Sequence, residues 1–243
     1  MKRYNLILIF FLVNFIQVKG QDRVVDKKFT YWTRAYLEVG LNEKVQLDLE
    51  IDNRRYIIPH RQFQTLGRFT LVFQQNSWLS FGSGMTYSLL YSQLTDLTQP
   101  EIRPHQEVNM EHGANRWNFN HRLRLEQRFT QDTIRNTNGV VNEYRDNSFN
   151  FSFRSRYEVA VAYTVINKDE KRGHLDLNSS SEIMLNARLR ELFNTYRQYA
   201  GITYFLSDRR SLELGYLLSF ELNHTYDTMF DFNNIRLTYR QRI

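Results

Sequence analysis

The sequence predicts an all-β chain closed into a single antiparallel up-and-down transmembrane barrel of about twelve strands (ten to twelve), and three observations predict it. Polar and apolar residues alternate at period two in segment after segment, which gives strands with one wet and one dry face. Breakers are scarce, with 10 Gly and 3 Pro in 243 residues, while aromatics reach 15% through 18 Phe and 15 Tyr. Joints between the segments alternate in length, short ones at one end and long polar ones at the other, as in bacterial outer-membrane barrels. Because no Cys is present, disulfide frameworks, zinc ribbons, iron–sulfur clusters and thiol nucleophiles are excluded.

Taken in order, residues 1–20 read as a cleaved signal peptide. Met1-Lys2-Arg3 is a basic start, Leu6 to Ile16 is apolar apart from Asn14, and Val18 and Gly20 stand at −3 and −1 before Gln21. The apolar core is too short to span a bilayer comfortably. Residues 21–243 then form one barrel domain. The leader carries Lys2, Arg3 and Lys19 and no acidic residue, so the formal charge falls from +6 to +3 on its removal. That leaves no strong electrostatic case for a nucleic-acid partner.

Eleven strands are expected near 31–39, 44–53, 63–75, 78–91, 103–112, 117–129, 149–165, 174–186, 196–206, 211–222 and 230–242. The second is the cleanest, with Val45, Leu47, Leu49 and Ile51 alternating with Gln46, Asp48, Glu50 and Asp52. In the sixth, Trp117, Phe119, Leu123, Leu125 and Phe129 oppose Asn118, Asn120, Arg122, Arg124, Glu126 and Arg128. The seventh carries Phe149, Phe151, Phe153, Tyr157, Val159, Val161 and Tyr163 on one face, and the tenth Leu214, Tyr216, Leu218 and Phe220. Short joints follow residues 39, 75, 112 and 206. Longer ones follow 53, 91, 129 and 186, the longest running from Thr130 to Ser148. If the short turns share one end, Tyr31 starts a downward strand, and residues 22–30 are the material for a twelfth strand before it. Arg188 to Phe193 is the one stretch with room for a helical turn.

Alternation alone leaves open which face is inside. A soluble lipocalin-like barrel buries its apolar face; an outer-membrane barrel shows it to lipid. Bulky aromatics near strand ends (Trp117, Phe129, Phe149, Tyr163, Tyr239) and dense charge on the polar face favour the membrane. So does width, because side chains can plug a barrel of about eight strands and not a much larger one. On that reading Leu47, Leu49, Ile51, Leu125, Phe151, Phe153, Leu214, Leu218 and Leu237 face lipid, and Asp48, Glu50, Arg154, Arg156, Glu213 and Arg236 face the lumen.

Arg103-Pro104-His105-Gln106, Arg122-Leu123-Arg124-Leu125-Glu126-Gln127-Arg128-Phe129, Ser181-Glu182 and Gln198-Tyr199-Ala200-Gly201-Ile202-Thr203-Tyr204 resemble domain-of-unknown-function family 2490. Its members are outer-membrane-barrel-like secreted proteins of Gram-negative bacteria. The resemblance covers nearly the whole mature chain, with Arg-x-Arg-x-Glu-x-Arg its most specific part. It implies a barrel in the outer membrane, with lipid and, during biogenesis, the barrel-assembly machinery as partners. It implies no activity. Many outer-membrane strands end in Phe or Trp, whereas this chain ends Tyr239-Arg240-Gln241-Arg242-Ile243.

No catalytic signature accompanies this architecture. The six His (His60, His105, His112, His121, His174, His224) show no zinc spacing. His105 and Glu107 lie two apart on one face and could share a metal or a proton, although a hydrogen-bonded lumen histidine is the simpler reading. His121, on the apolar face between Phe119 and Leu123, is the one candidate for a membrane-embedded lipid-modifying enzyme, which would need Ser or an acid beside it. Gly82-Ser83-Gly84 is better explained by relief of crowding at a barrel bend than by phosphate binding. Asp22 to Lys28 and Asn167 to Arg172 read as solvated charge runs. No cofactor is expected.

The sharpest expectation is a charge ladder in the lumen, built from Glu101, Arg103, Glu107, Arg122, Arg124, Glu126 and Arg128. A four-residue turn Gly113-Ala114-Asn115-Arg116 would pair His112 with Trp117. It would also set Glu107 opposite Arg122, Arg103 opposite Glu126, Glu101 opposite Arg128 and His105 opposite Arg124. Directly opposed side chains lie within ion-pairing reach. Three functions stay open: a structural barrel or passive route for small solutes through a partly plugged lumen, a lipid-modifying enzyme, and a soluble periplasmic binding barrel.

Overall fold

The computed structural model describes residues 24–91, 97–135, 141–166, 172–187, 195–223 and 228–243. The signal peptide and the helical turn near 188–193 are expectations that lie outside these residues. Eleven strands follow in order: β1 (Val24–Gly40), β2 (Val45–Tyr56), β3 (Gln62–Gln74), β4 (Leu79–Tyr91), β5 (Thr98–Ala114), β6 (Trp117–Arg135), β7 (Val141–Ile166), β8 (Leu175–Ala187), β9 (Thr195–Ser207), β10 (Arg210–Asn223) and β11 (Thr228–Arg242). Each pairs antiparallel with its sequence neighbours, and β1 pairs with β11 to close the barrel.

All eleven expected strands are present; the twelfth is not. Residues 24–30 continue β1, because Val25, Phe29 and Tyr31 keep one phase and no Gly, Pro or Asn interrupts residues 24–39. An odd count has a topological consequence. The first and last strands run the same way, so the barrel closes through a parallel pair, Val24↔Thr228 to Glu38↔Arg242, and is not wholly antiparallel. The long joint expected at Thr130 to Ser148 is also mostly strand. There β6 and β7 remain paired as far as Arg135↔Val141. A hairpin with polar residues on both faces has no alternation to betray it.

Strand parity places the charged face inside. Among the described residues, 24 buried side chains are polar or charged and only seven are hydrophobic, while thirty-five large apolar or aromatic residues are exposed. Ile51, Phe151, Leu214 and Leu237 are 47–64% exposed, and Glu50, Asp52 and Glu126 are 0–4% exposed. Close approaches inside the wall are met by glycine. Tyr199 lies across the facing pair Gly201↔Gly215, where a Cβ on either strand would collide with its ring. Gly82 gives room to the Glu107 side chain, whose Cγ lies 2.7 Å from where a Cβ would stand. At Gly84 a Cβ would run into the Phe69 carbonyl and Thr70 Cα, so the two strands approach too closely there for any side chain.

A paired substitution tests that bend. Gly84→Ala should cost about 1–3 kcal/mol, because backbone must shift to admit the methyl. Gly67→Ala, where nothing lies within 4 Å, should be near neutral. The measurement is the temperature at which the compact, heat-modifiable gel band of the barrel is lost.

Candidate functional site

The lumen is filled by interlocked ion pairs, and its assembly starts at the β5–β6 turn. Asn115 adopts the left-handed backbone (φ 57°), which lets a two-residue hairpin loop form. Gly113 and Ala114 are therefore free to join the ladder, as Gly113↔Asn118 and Ala114↔Trp117. Every pair shifts by two from the register expected of a four-residue turn. Glu107 stands opposite Arg124 instead of Arg122, His105 opposite Glu126 instead of Arg124, and Glu101 opposite Thr130 instead of Arg128. Two pairs that a four-residue turn would set directly opposite, Glu101–Arg128 and Glu111–Asn118, still meet, now on the diagonal. Arg128 donates from Nε to Glu101 Oε1 at 2.5 Å, and Asn118 donates from Nδ2 to Glu111 Oε1 at 2.6 Å.

Clusters of ion pairs line the interior. On β6–β8, Glu126 accepts from Arg154 Nε (2.7 Å) and Arg156 Nη1 (3.0 Å). Arg156 reaches on to Glu182 (Nη2, 2.6 Å), which Arg122 and Arg197 also approach at 3.4 and 3.6 Å; Arg122 pairs in addition with Glu158. On β1–β3, Glu50 takes Arg68 (2.7 Å) and Arg34 (3.3 Å), and Asp52 takes Arg54 (2.8 Å) and Arg34 (3.1 Å). Glu107 Oε2 accepts from Arg124 Nε (2.6 Å), and Arg124 Nη2 lies within ion-pair distance of the same oxygen (2.5 Å). Near the seam, Glu213 takes Arg236 (2.7 Å) and the Tyr199 hydroxyl (2.6 Å). Glu38 there takes Arg240 and Arg242.

Glu101, Arg103, Glu107, Arg122, Arg124, Glu126 and Arg128 thus all lie on the inner face, where Glu101–Arg128 is kept as a diagonal pair and Glu107 and Glu126 take other arginines than those expected. His105 is 1% exposed, with Nε2 at 3.1 Å from Thr70 Oγ1. Among the described residues, no group of three or more His, Cys, Asp or Glu could hold a metal. His121 faces outward, with Nδ1 2.9 Å from the Tyr157 hydroxyl and its ring stacked on His112. Its cross-strand neighbours are Met110 and Val159, so the register supplies neither the serine nor the acid that lipid chemistry needs.

The sequence reading missed the apolar part of the lumen. Trp32, Leu66, Leu217 and Phe232 are 2–8% exposed and share the inner face with charged or polar neighbours. Arg54 lies over the Trp32 ring at 3.9 Å and Arg236 over Tyr199 at 3.7 Å. A signal was available. Leu66 is in phase with Gln64 and Arg68, Leu217 with Gly215 and Ser219, and Phe232 with Asn234 and Arg236. Two cavities remain between the clusters. One of about 850 Å³ is lined by residues of all eleven strands, Arg103, Arg156 and Trp32 among them. The other, of about 520 Å³, lies toward the short turns beside Glu38, Asp48 and Arg124.

The family model for DUF2490, proteins of unknown function, matches residues 29–230. No curated protein and no solved structure matches the chain.

Charge exchange tests the register. Glu107→Arg combined with Arg124→Glu should assemble nearly as well as the parent, whereas Glu107→Arg combined with Arg122→Glu should not; equal yields of compact barrel from both would refute the pairing. Glu126→Gln removes the carboxylate between Arg154 and Arg156 and should cost about 3 kcal/mol, the low end for a broken buried pair, because both arginines border the larger cavity. Arg242→Gln, on a side chain 62% exposed, should change the thermal midpoint by less than the error of measurement.

Proposed function

The chain belongs to the DUF2490 family of proteins of unknown function, and we propose that it is an outer-membrane β-barrel of a Gram-negative bacterium whose charge-filled lumen passes only water and small solutes. The observation that carries this reading is the inversion of the usual globular arrangement. Among the described residues, thirty-five large apolar or aromatic ones are exposed, and 24 of the buried side chains are polar or charged. A soluble protein seldom exposes an apolar patch beyond a few hundred Å², and an apolar band around the whole barrel needs lipid to cover it.

The dimensions support it too. On β6, Trp117 and Phe129 are twelve residues apart, roughly 30 Å along the axis at ~3.4 Å per residue and ~40° tilt, close to the apolar band of such barrels. Aromatics gather at both levels. Trp117 packs on Tyr163 at 4.6 Å toward the short turns, and Phe129 on Phe151 at 5.2 Å toward the other end. Between them lie Leu123, Leu125 and Val159. In this reading residues 1–20 direct secretion, the short turns face the periplasm, and the barrel-assembly machinery inserts the mature chain.

A lumen bridged by guanidinium–carboxylate pairs gives slow passage. Solutes move through the gaps between fixed side chains, and bulk flow would require several buried pairs to part together.

Fractionation is the direct test. The expected result is recovery in detergent-extracted outer membrane, and recovery in the osmotic-shock supernatant would overturn the proposal. Leu125→Arg, at mid-height on the outer face, should cost roughly 2–4 kcal/mol of insertion and show as lost heat-modifiable mobility. In planar bilayers the parent should conduct weakly, and Arg68→Ala with Arg124→Ala should raise conductance several-fold. A large parent conductance would contradict the plugged lumen.

A further inference from the structure

One end of the lumen is amphipathic in a way that the ion pairs do not require. The larger cavity has an apolar wall, where Trp32, Phe63, Leu66, Leu217 and Phe232 face it, and a basic wall, where Arg103, Arg128 and Arg154 do. Phe63 is there because of a bulge. Arg54 pairs with Gln64 and Arg55 with Gln62, so Phe63 is the extra residue. A bulge re-aims a side chain, and Phe63 turns inward to stack on Phe232 at 5.6 Å and lie against Tyr56 at 5.0 Å.

On the basic wall the pairing runs short. The register that sets Ile102 against Phe129 and His105 against Glu126 brings Arg103 level with Arg128, and like charges opposed across two strands repel. Two carboxylates serve this corner: Glu101, shared by Arg128 and Arg103, and Glu126, shared by Arg154 and Arg156. Arg103 is 6% exposed. Its Nε lies 3.1 Å from Glu101 Oε2, out of line for a hydrogen bond, and its Nη2 has no acceptor among the described residues. A buried guanidinium with an idle prong is best completed by an oxyanion.

We propose that this cavity binds an amphiphilic anion, a single-chain carboxylate or phosphate monoester with its head on Arg103 and its alkyl body against Phe63, Phe232 and Leu66. Charge alone would specify an inorganic ion, and the aromatic wall alone a neutral hydrocarbon. One cavity of about 850 Å³ holding both walls selects a ligand that carries both, and it lies within the size range of small-molecule sites. The inference goes beyond solute passage. It uses the lumen alone, so it stands or falls separately from the membrane position of the barrel.

Calorimetric titration of the full chain in maltoside micelles tests it, with octyl phosphate, octanol and inorganic phosphate as the three probes. Octyl phosphate should bind saturably at one site, at least tenfold more tightly than either of the others. Arg103→Gln should weaken octyl phosphate at least tenfold. Phe63→Ser should weaken octyl phosphate about tenfold and leave inorganic phosphate unchanged. If Arg103→Gln fails to give the compact gel band, Arg103→Lys replaces it, with a several-fold loss expected because a point charge cannot reproduce the fork. Inorganic phosphate binding as tightly as octyl phosphate would reduce the site to an ion site, and octanol binding as tightly would reduce it to an apolar patch. Either result, or no saturable binding of octyl phosphate by the folded parent, overturns the proposal.

Discussion

Eleven strands enclose a space that hydrocarbon side chains cannot fill. Side chains from opposite walls meet comfortably in a barrel of about eight strands; beyond that the interior is empty, wet or occupied by something longer. Arginine and glutamate are the longest side chains able to bond to each other end to end, and the inner face uses them in that way. Arg156 spans from Glu126 to Glu182, Arg197 reaches Glu182 from β9 while lying 5.6 Å from the Trp32 ring, and Arg34 bridges Glu50 and Asp52. Each carboxylate takes two or more donors, which offsets much of the cost of drawing it out of bulk water. The charge is there because of the width, and the outer apolar surface follows from it, since strand alternation sends to one face whatever the other face excludes.

The odd strand number places a second demand on the chain, at the seam. A parallel pair between β1 and β11 has slanted hydrogen bonds and is slightly weaker per residue than an antiparallel one. Side chains reinforce it along its length. Thr30 bonds to Asn234, whose amide also donates to the Leu217 and Phe232 carbonyls, and the Trp32 indole donates to Thr30. At the short-turn end Glu38 takes both Arg240 and Arg242, and the Ile243 backbone bonds to Glu38 and Gly40. Arg240 and Arg242 pair with Glu38 across this seam from side chains 47% and 62% exposed, so they mark its register more than they hold it.

Much of this was legible in the sequence because period-two alternation is a local property. It gave the eleven strands, the faces of Ile51, Phe151 and Leu237, and the crowding at Gly82 and Gly84 without knowledge of any partner. What it could not supply was pairing. Register depends on whether Gly113 and Ala114 belong to a turn or to a ladder, and glycine is permissive enough for either; the left-handed Asn115 decides it. A slip of two residues keeps every side chain on its own face, so the inner face survived the error while the partners of Glu107 and His105 did not. The twelfth strand failed for a different reason. An even number is customary for bacterial outer-membrane barrels, which prompts the expectation, and residues 24–30 carry no break that would separate them from β1.

That same slip bears on where ligands can sit. In the four-residue-turn register Arg103 would face Glu126 and the wall would be closed by its own charges. In the observed register Glu126 belongs to Arg154 and Arg156, and Arg103 is left level with Arg128. Pro104, next in the chain, has no backbone N–H to add to the ladder at this point. Elsewhere opposed arginines are tolerated because each has a carboxylate within reach, as Arg124 and Arg156 have Glu107 and Glu126. Beside the apolar wall Arg103 and Arg128 share one carboxylate, Glu101, and Arg103 Nη2 has no acceptor among the described residues. A lumen filled with matched pairs resists entry because each pair already satisfies itself. The place where matching fails is the place where a foreign anion lowers the energy of the wall, and the aromatic side chains across the same cavity set what that anion must carry with it.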